Sequence, residues 1–151
     1  MAHIKLREDP GTNIWLLYLN DATVGPGSPN RREDVLLIQF FLNALWGTSP
    51  DKKTAIGSGA APAIDGVCGT NTNAAIVTFQ RWYWEQPPRG GFTDGRVEPP
   101  PIGQNFGPLH SLPYTIIGLN ANFGLAFSPD RHSRLAKEPT FPAELRRKLF
   151  F

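Results

Sequence analysis

The sequence predicts a mainly α protein, a small three-helix domain with an added N-terminal strand region and inserted loops rich in proline and glycine. Three observations favour this class. Two segments place apolar residues at helical spacing. The intervening chain is rich in turn formers, with 15 glycines and 15 prolines among 151 residues. The hydrophobic fraction of 40% is sufficient for one core.

The first predicted elements are a strand and a central helix. Ile14 to Leu19 is a short apolar run between turn formers, which is typical of a strand. Asn30 stands at a helix N-cap position, with Glu33 three residues later, and the helix should end near Trp46. Because its apolar residues lie on nearly every face, we expect other segments to cover this helix on several sides.

Two further helices and a C-terminal turn complete the prediction. The second helix should begin near Thr70 to Thr72, with either threonine as its cap, and continue through Trp84. A short third helix is predicted from Thr115 to Phe123. Near the C-terminus, Leu145 and Leu149 are one helical turn apart, so we expect this segment to fold back on the central helix, with docking into a partner protein as the alternative. The core face of the second helix should comprise Ala75, Ile76, Phe79 and Tyr83.

These elements suggest a division of the chain into three parts. We expect residues 1–29 to form a strand and loop that pack on the domain, residues 30–124 to form the domain, and residues 125–151 to form a C-terminal extension. The net charge of +2 comes from scattered residues, whereas nucleic-acid binding needs clustered cations, so no nucleic acid is expected as a partner.

Other features exclude further classes. Cys68 is the single cysteine, so no intrachain disulfide can form. No apolar run is long enough to insert in a membrane. The N-terminal residues do not form a secretory signal, which predicts a cytoplasmic location, or the cell envelope or exterior after export by a non-Sec route. His3, His110 and His132 are too far apart to indicate a metal site, so we expect no metal, no cofactor and no enzymatic activity.

One ordered motif is more specific than these patterns. Residues 34–43 read DVLLIQFFLN, and residues 64–80 read IDGVCGTNTNAAIVTFQ. This resembles the peptidoglycan-binding domain family, whose pattern is roughly V-x-x-L-Q-x-x-L followed by D-G-x-x-G-x-x-T-x-x-A-(V/I)-x-x-F-Q. The resemblance covers about Asn30 to Asn122. A weaker second copy begins at Asp94-Gly95 and reaches Thr115 after 21 positions (115 minus 94), where the first copy needs seven (72 minus 65).

We expect the motif residues to build the fold rather than to contact a ligand. The aspartate–glycine pairs should form tight turns, Gly69 should allow close chain approach, and the two glutamines should tie loop backbone to helices. The structural residues are Gln39, Asp65, Gly66, Gly69, Thr72, Phe79, Gln80, Asp94 and Gly95. Residues 47–63 form a long loop for the family, and inserted loops of this size often carry function or cover a groove.

The resemblance implies non-catalytic binding of peptidoglycan, through its stem peptide or its glycan. Arg81, Trp82 and Trp84 are the candidate ligand residues, because adjacent helical residues are about 100° apart and cannot all be buried. An exposed indole would stack on a sugar, and the arginine would meet a stem-peptide carboxylate. In the alternative interpretation, inserted loops cover these rings.

A second hypothesis gives the fold a structural role. The chain would be an adaptor in a phage-like contractile injection machine or a type VI-like secretion machine, with protein components as its partners. The missing secretory signal favours this hypothesis, because peptidoglycan lies outside the cytoplasmic membrane. A small wall-degrading enzyme is the weakest alternative.

Overall fold

A computed structural model describes residues 2–8, 14–85, 93–100 and 114–150. Within these ranges the chain is mainly helical, as the sequence predicts, and it has one two-stranded antiparallel sheet. The elements are, in chain order, β1 (His3–Glu8), β2 (Ile14–Leu19), α1 (Arg32–Leu45), α2 (Thr70–Trp84), α3 (Thr115–Ala126), α4 (Pro129–Ser133), a 3₁₀ turn (Leu135–Lys137) and α5 (Ala143–Phe150).

The sheet pairs β1 with β2, so that His3 lies opposite Leu19 and Glu8 lies opposite Ile14. The predicted strand from Ile14 to Leu19 is confirmed, whereas β1 is an additional element. β2 lies against α1 and α3. β1 pairs with the backbone N–H and C=O groups of β2, which a single buried strand would leave without partners.

Helix α1 is the centre of the core. Residues 34–42 and Leu45 are all buried, which confirms that the helix is covered on several sides. The cover comes from β2, α2, α3 and α5. Ring contacts join the elements here, since Phe40 meets Phe123 of α3 and Phe141, which precedes α5, with centroids 5.9 and 5.0 Å apart. Aromatic rings at these separations pack favourably beyond their burial.

The predicted cap of α1 is wrong. Asn30 has a φ of +49° and directs its amide to Gly25, accepting from the N–H at 2.8 Å and donating to the carbonyl at 2.9 Å. Arg31 takes the N-cap position without a side-chain hydrogen bond. Glu33 does not reach back to a cap either, since its carboxylate accepts from Lys148 of α5. Asn30 therefore closes the preceding loop instead of starting the helix.

The bounds of α2 agree with the prediction, and its four predicted core residues are buried. The predicted cap is again wrong, because Gly69 occupies the N-cap position and no side chain caps the helix. The Thr72 hydroxyl instead accepts from Gln39 at 2.9 Å.

The C-terminal segment folds back on α1, as expected. Phe141 and Leu145 are buried, and Arg32 donates to Glu144 of α5 at 2.9 Å. Glu33 adds its contact with Lys148. Helix α3 continues to Ala126, beyond its predicted end, and α4 and the 3₁₀ turn were not predicted.

Candidate functional site

Gln39, buried in the middle of α1, holds the turn at Asp65–Gly66. Its amide oxygen accepts from the backbone N–H groups of Asp65 at 3.0 Å and Gly66 at 2.8 Å. Its amide nitrogen donates to the Val67 carbonyl at 3.0 Å and to the Thr72 hydroxyl at 2.9 Å. One side chain of α1 therefore fixes both the turn and the start of α2.

Gln80 of α2 repeats this arrangement on the turn at Asp94–Gly95. Its amide oxygen accepts from the Gly95 N–H at 2.9 Å. Its nitrogen donates to the Arg96 carbonyl at 2.9 Å and to the Thr115 hydroxyl at 3.0 Å. Because Thr115 is the first residue of α3, this glutamine also joins a turn to the following helix. The prediction that both glutamines tie loop backbone to helices is confirmed.

The two turns also share their backbone chemistry. Gly66 and Gly95 each have a φ of +77°, a region that glycine adopts without steric cost. Asp65 and Asp94 each accept from the backbone N–H two residues later, at 2.9 Å. Gly69 differs from expectation, because a Cβ at this position would meet no atom within 4 Å. The predicted close approach of the chain at Gly69 is therefore wrong.

A third amide, that of Asn120 in α3, binds the sheet. Its oxygen accepts from the Tyr18 N–H, and its nitrogen donates to the Tyr18 carbonyl, both at 2.9 Å. Nε2 of His132 lies 2.8 Å from the same oxygen. Since that oxygen can only accept, His132 carries its proton on Nε2. Burial lowers the pKa of His132 to about 4, so the ring is neutral near pH 7.

Residues 47–63 form a loop that is tied to both α1 and α2. Ile56 is buried and pairs its backbone with Gly47 and Thr48 at 2.7 and 2.8 Å. Asn43 of α1 donates to the Pro62 carbonyl at 3.0 Å. The indole N–H of Trp82 on α2 donates to the Thr54 carbonyl at 3.1 Å. The loop therefore has a defined position beside α2.

A groove of about 370 Å³ lies between this loop and α2. One wall is the end of α1 and the last residues of the loop, and the other is one face of α2. The lining residues are Trp46, Ala60, Ala61, Pro62, Ala63, Asn71, Ala74, Ala75 and Thr78. None of them carries a charge. Its volume lies in the range of about 300–1,000 Å³ that is usual for ligand pockets.

The three predicted ligand residues have different environments. Trp84 is only 7% exposed and packs in the core against Tyr83, with ring centroids 4.5 Å apart, so no face is free for a sugar. Arg81 is exposed and Trp82 is half-buried. Both lie one turn beyond Thr78, on the face of α2 that lines the groove. Ligand contact by Arg81 and Trp82 stays a prediction.

The groove itself was not predicted. Its walls are mostly alanines, which have no polar group and no large ring to mark them in a sequence. In the sequence, Trp46 marks only the end of the first helix. The one available signal is the glycine pair at Gly57 and Gly59, which is typical of a loop. Both have φ values above +70°, and Gly57 lies against the Trp46 ring.

Two kinds of reactive group are relevant among the described residues, a low-pKa thiol and a cluster of metal ligands. Cys68 is half-buried with Sγ 3.1 Å from Oδ1 of Asn73, and burial raises the pKa of its thiol, which disfavours the reactive thiolate. Across the ranges given above, no three His, Cys, Asp or Glu side chains come together as metal ligands. No helix in those ranges combines the length and the apolar character that crossing a bilayer requires.

Comparison of the chain with protein-family models, with curated proteins and with solved structures gives no match.

Proposed function

We propose that this protein is a non-catalytic module that binds bacterial peptidoglycan. The observation that carries the proposal is the turn clamped by Gln39. The residues in which the sequence resembles the peptidoglycan-binding domain family form one connected unit, from Gln39 through Asp65 and Gly66 to Thr72. Such a unit holds α2 and the adjoining loop in fixed positions, and a preorganised surface loses less entropy when it binds a ligand.

The binding surface is the groove beside α2, together with the residues one turn beyond it. Asn71, Ala74 and Thr78 line the groove, and Arg81 and Trp82 continue the same helical face. A polymer lying along this face would meet alanine methyl groups first and a guanidinium at the end. Arg81 would pair there with a stem-peptide carboxylate.

Purified sacculi provide the direct test. The wild-type protein should sediment with sacculi well above a control without them. Ala74→Leu fills the groove from an exposed position, and Arg81→Ala removes the cation, so each should reduce the bound fraction. Arg147→Ala, which removes an exposed cation on α5 away from the groove, is the matched control and should bind like the wild type. Equal sedimentation with and without sacculi would refute the proposal.

The adaptor hypothesis predicts a different experimental result. A component of a contractile injection or type VI-like machine would co-purify with tube, sheath or spike proteins. If sacculi are not bound and such proteins are, the fold serves protein contacts. Zymography on a peptidoglycan gel separates both hypotheses from a lytic enzyme, which would give a cleared band.

A further inference from the structure

The indole of Trp46 has a fixed position at the wall of the groove. Its Nε1–H donates to the Ser58 carbonyl at 3.2 Å. The backbone of Gly57 lies against its six-membered ring, since a Cβ at this glycine would come within 2.5 Å of the ring carbons. Trp46 is half-buried and is one of the residues that line the groove. An aromatic surface held in this way needs little reordering to accept a ligand.

The rest of the lining is neutral. Five of the nine lining residues are alanines, one is proline, and the polar ones are Asn71 and Thr78. The Thr78 hydroxyl already donates to the Ala74 carbonyl at 2.9 Å, so towards a ligand it can only accept. A charged ligand would lose its hydration here without an opposite charge in return. The groove therefore favours a neutral ligand with one apolar face and a few hydrogen-bonding groups.

Of the two parts of peptidoglycan, only one has this chemistry. The stem peptide carries carboxylate and ammonium groups. The glycan is a chain of N-acetylated amino sugars, whose N-acetylglucosamine units are neutral and have an apolar ring face, an acetyl methyl group and an amide. We propose that the groove binds an N-acetylated amino sugar of the glycan, with the ring of Trp46 as its stacking surface. This inference rests on the proposed function and specifies which part of the polymer enters the groove.

In this arrangement the sugar ring packs on the indole, and the acetyl methyl group contacts the alanine walls. Asn71 is exposed at the rim, where its amide can both donate to and accept from the sugar's amide or hydroxyl groups. Arg81 lies beyond the groove, so it is left for a carboxylate of the attached peptide. The two parts of the polymer are thereby recognised at adjacent positions on one face of α2.

Titration calorimetry with chitotetraose, a neutral oligomer of N-acetylglucosamine, tests the inference. The wild-type protein should bind it, and Trp46→Ala should weaken binding by about tenfold or more, as for a central aromatic contact. Trp46→Phe keeps a ring and should have an intermediate effect. A free stem tripeptide should bind more weakly than chitotetraose and should be insensitive to Trp46→Ala.

Because Trp46→Ala could also disturb the loop, Ala74→Leu serves as a second test of the groove. This variant keeps Trp46 and every anchor of the loop, yet it should weaken chitotetraose binding, while Ala143→Leu on α5 should leave it unchanged. Melting curves establish that each variant is folded. Binding of sacculi without binding of chitotetraose would overturn this inference and leave the proposed function standing. Binding of chitotetraose through Trp46 without binding of sacculi would support the sugar site and refute the proposed function.

Discussion

The two glutamine-clamped turns are built alike but are braced by different parts of the chain. Over the first turn, Arg32 lies against Gly66, donates to the Asp65 carbonyl at 2.8 Å and pairs with Glu144 of α5. Over the second turn, the cover comes from the N-terminal side and from α2. Val97 pairs its backbone with Val24, and a Cβ at Gly95 would lie 3.8 Å from Pro26 and 3.2 Å from Val77 of α2.

The clamp also does not depend on the length of the segment that joins the turn to the following helix. In the first turn the aspartate and the helix threonine are seven positions apart, and in the second they are 21 apart (72 minus 65, and 115 minus 94). Each glutamine nevertheless contacts both its turn and the threonine of the following helix. Segments on either side of the two turns brace them. The C-terminal helix α5 braces the first turn, and the N-terminal loop braces the second.

The largest expected effect is that of Gln39→Ala. The substitution removes the partners of two backbone N–H groups, one carbonyl, the Asp65 carboxylate and the Thr72 hydroxyl, and each buried polar group left unpaired costs about 1–3 kcal/mol. We expect the free energy of unfolding to fall by about 3–5 kcal/mol. Urea unfolding at pH 7 measures this loss. A loss below that of Gln80→Ala would contradict the greater weight assigned to the first clamp.

Asn120 is a third buried amide, and it holds strand β2. Because it contacts His132, we expect acid to lower the stability of the fold. His132 has a folded pKa of about 4 against a usual value of 6.5, so the unfolded chain binds its proton more readily. Stability is full above about pH 6.5 and is lost as the pH falls towards 4, by about 3 kcal/mol in all.

Urea unfolding at pH 7 and pH 4 measures this loss, with His132→Gln as the control. Glutamine keeps an N–H donor for Asn120 but does not titrate in this range. The pH dependence of the variant should therefore be smaller than that of the wild type. Identical pH profiles would show that protonation of His132 does not contribute.

Gln80→Ala should cost less than Gln39→Ala, because fewer groups lose a partner. The Gly95 N–H, the Arg96 carbonyl and the Thr115 hydroxyl are the contacts removed. We expect the free energy of unfolding to fall by about 2–3 kcal/mol. Amide hydrogen exchange at Gly95 should increase more than exchange at Gly66. Equal exchange at the two glycines would mean that the turns are not independently clamped.

Asp65→Asn should have the smallest effect. The Val67 N–H and the Gln39 amide hold the pKa of the Asp65 carboxyl below its usual value of 3.8. The stability that this carboxylate contributes is therefore present above that value and is lost as the pH falls further. Asparagine keeps the turn-forming oxygen without titrating. The stability difference between wild type and variant should accordingly be measurable at pH 7 and shrink at pH 3, and a difference that stays constant would exclude the linkage.

Helices α1, α2 and α3 and the two clamps could be predicted because each has a local signal. Helical spacing of Ala75, Ile76, Phe79 and Tyr83 identifies the core face of α2, and the aspartate–glycine pairs identify the turns. The capping predictions failed because an asparagine or threonine suits several partners. Asn30 has Gly25 within reach and closes a loop, and Thr72 faces Gln39, which no local pattern reveals.

The groove and β1 could not be predicted for other reasons. The groove depends on contacts between segments that are distant in the sequence, among them Asn43 with Pro62 and Trp82 with Thr54. β1 does alternate, with Ile4 and Leu6 between polar residues, but so short a run becomes a strand only through its pairing with β2.

The position of α5 on α1 has a consequence for synthesis on the ribosome. The central helix emerges first, whereas Phe141 and Leu145, which cover one side of it, are synthesised about 100 residues after Phe40 (141 minus 40). Until then the nascent chain presents Phe40 without one of its ring partners. Such transiently exposed apolar surface is what chaperones bind and what promotes aggregation. The side of the central helix that α5 covers therefore stays exposed until α5 has been translated.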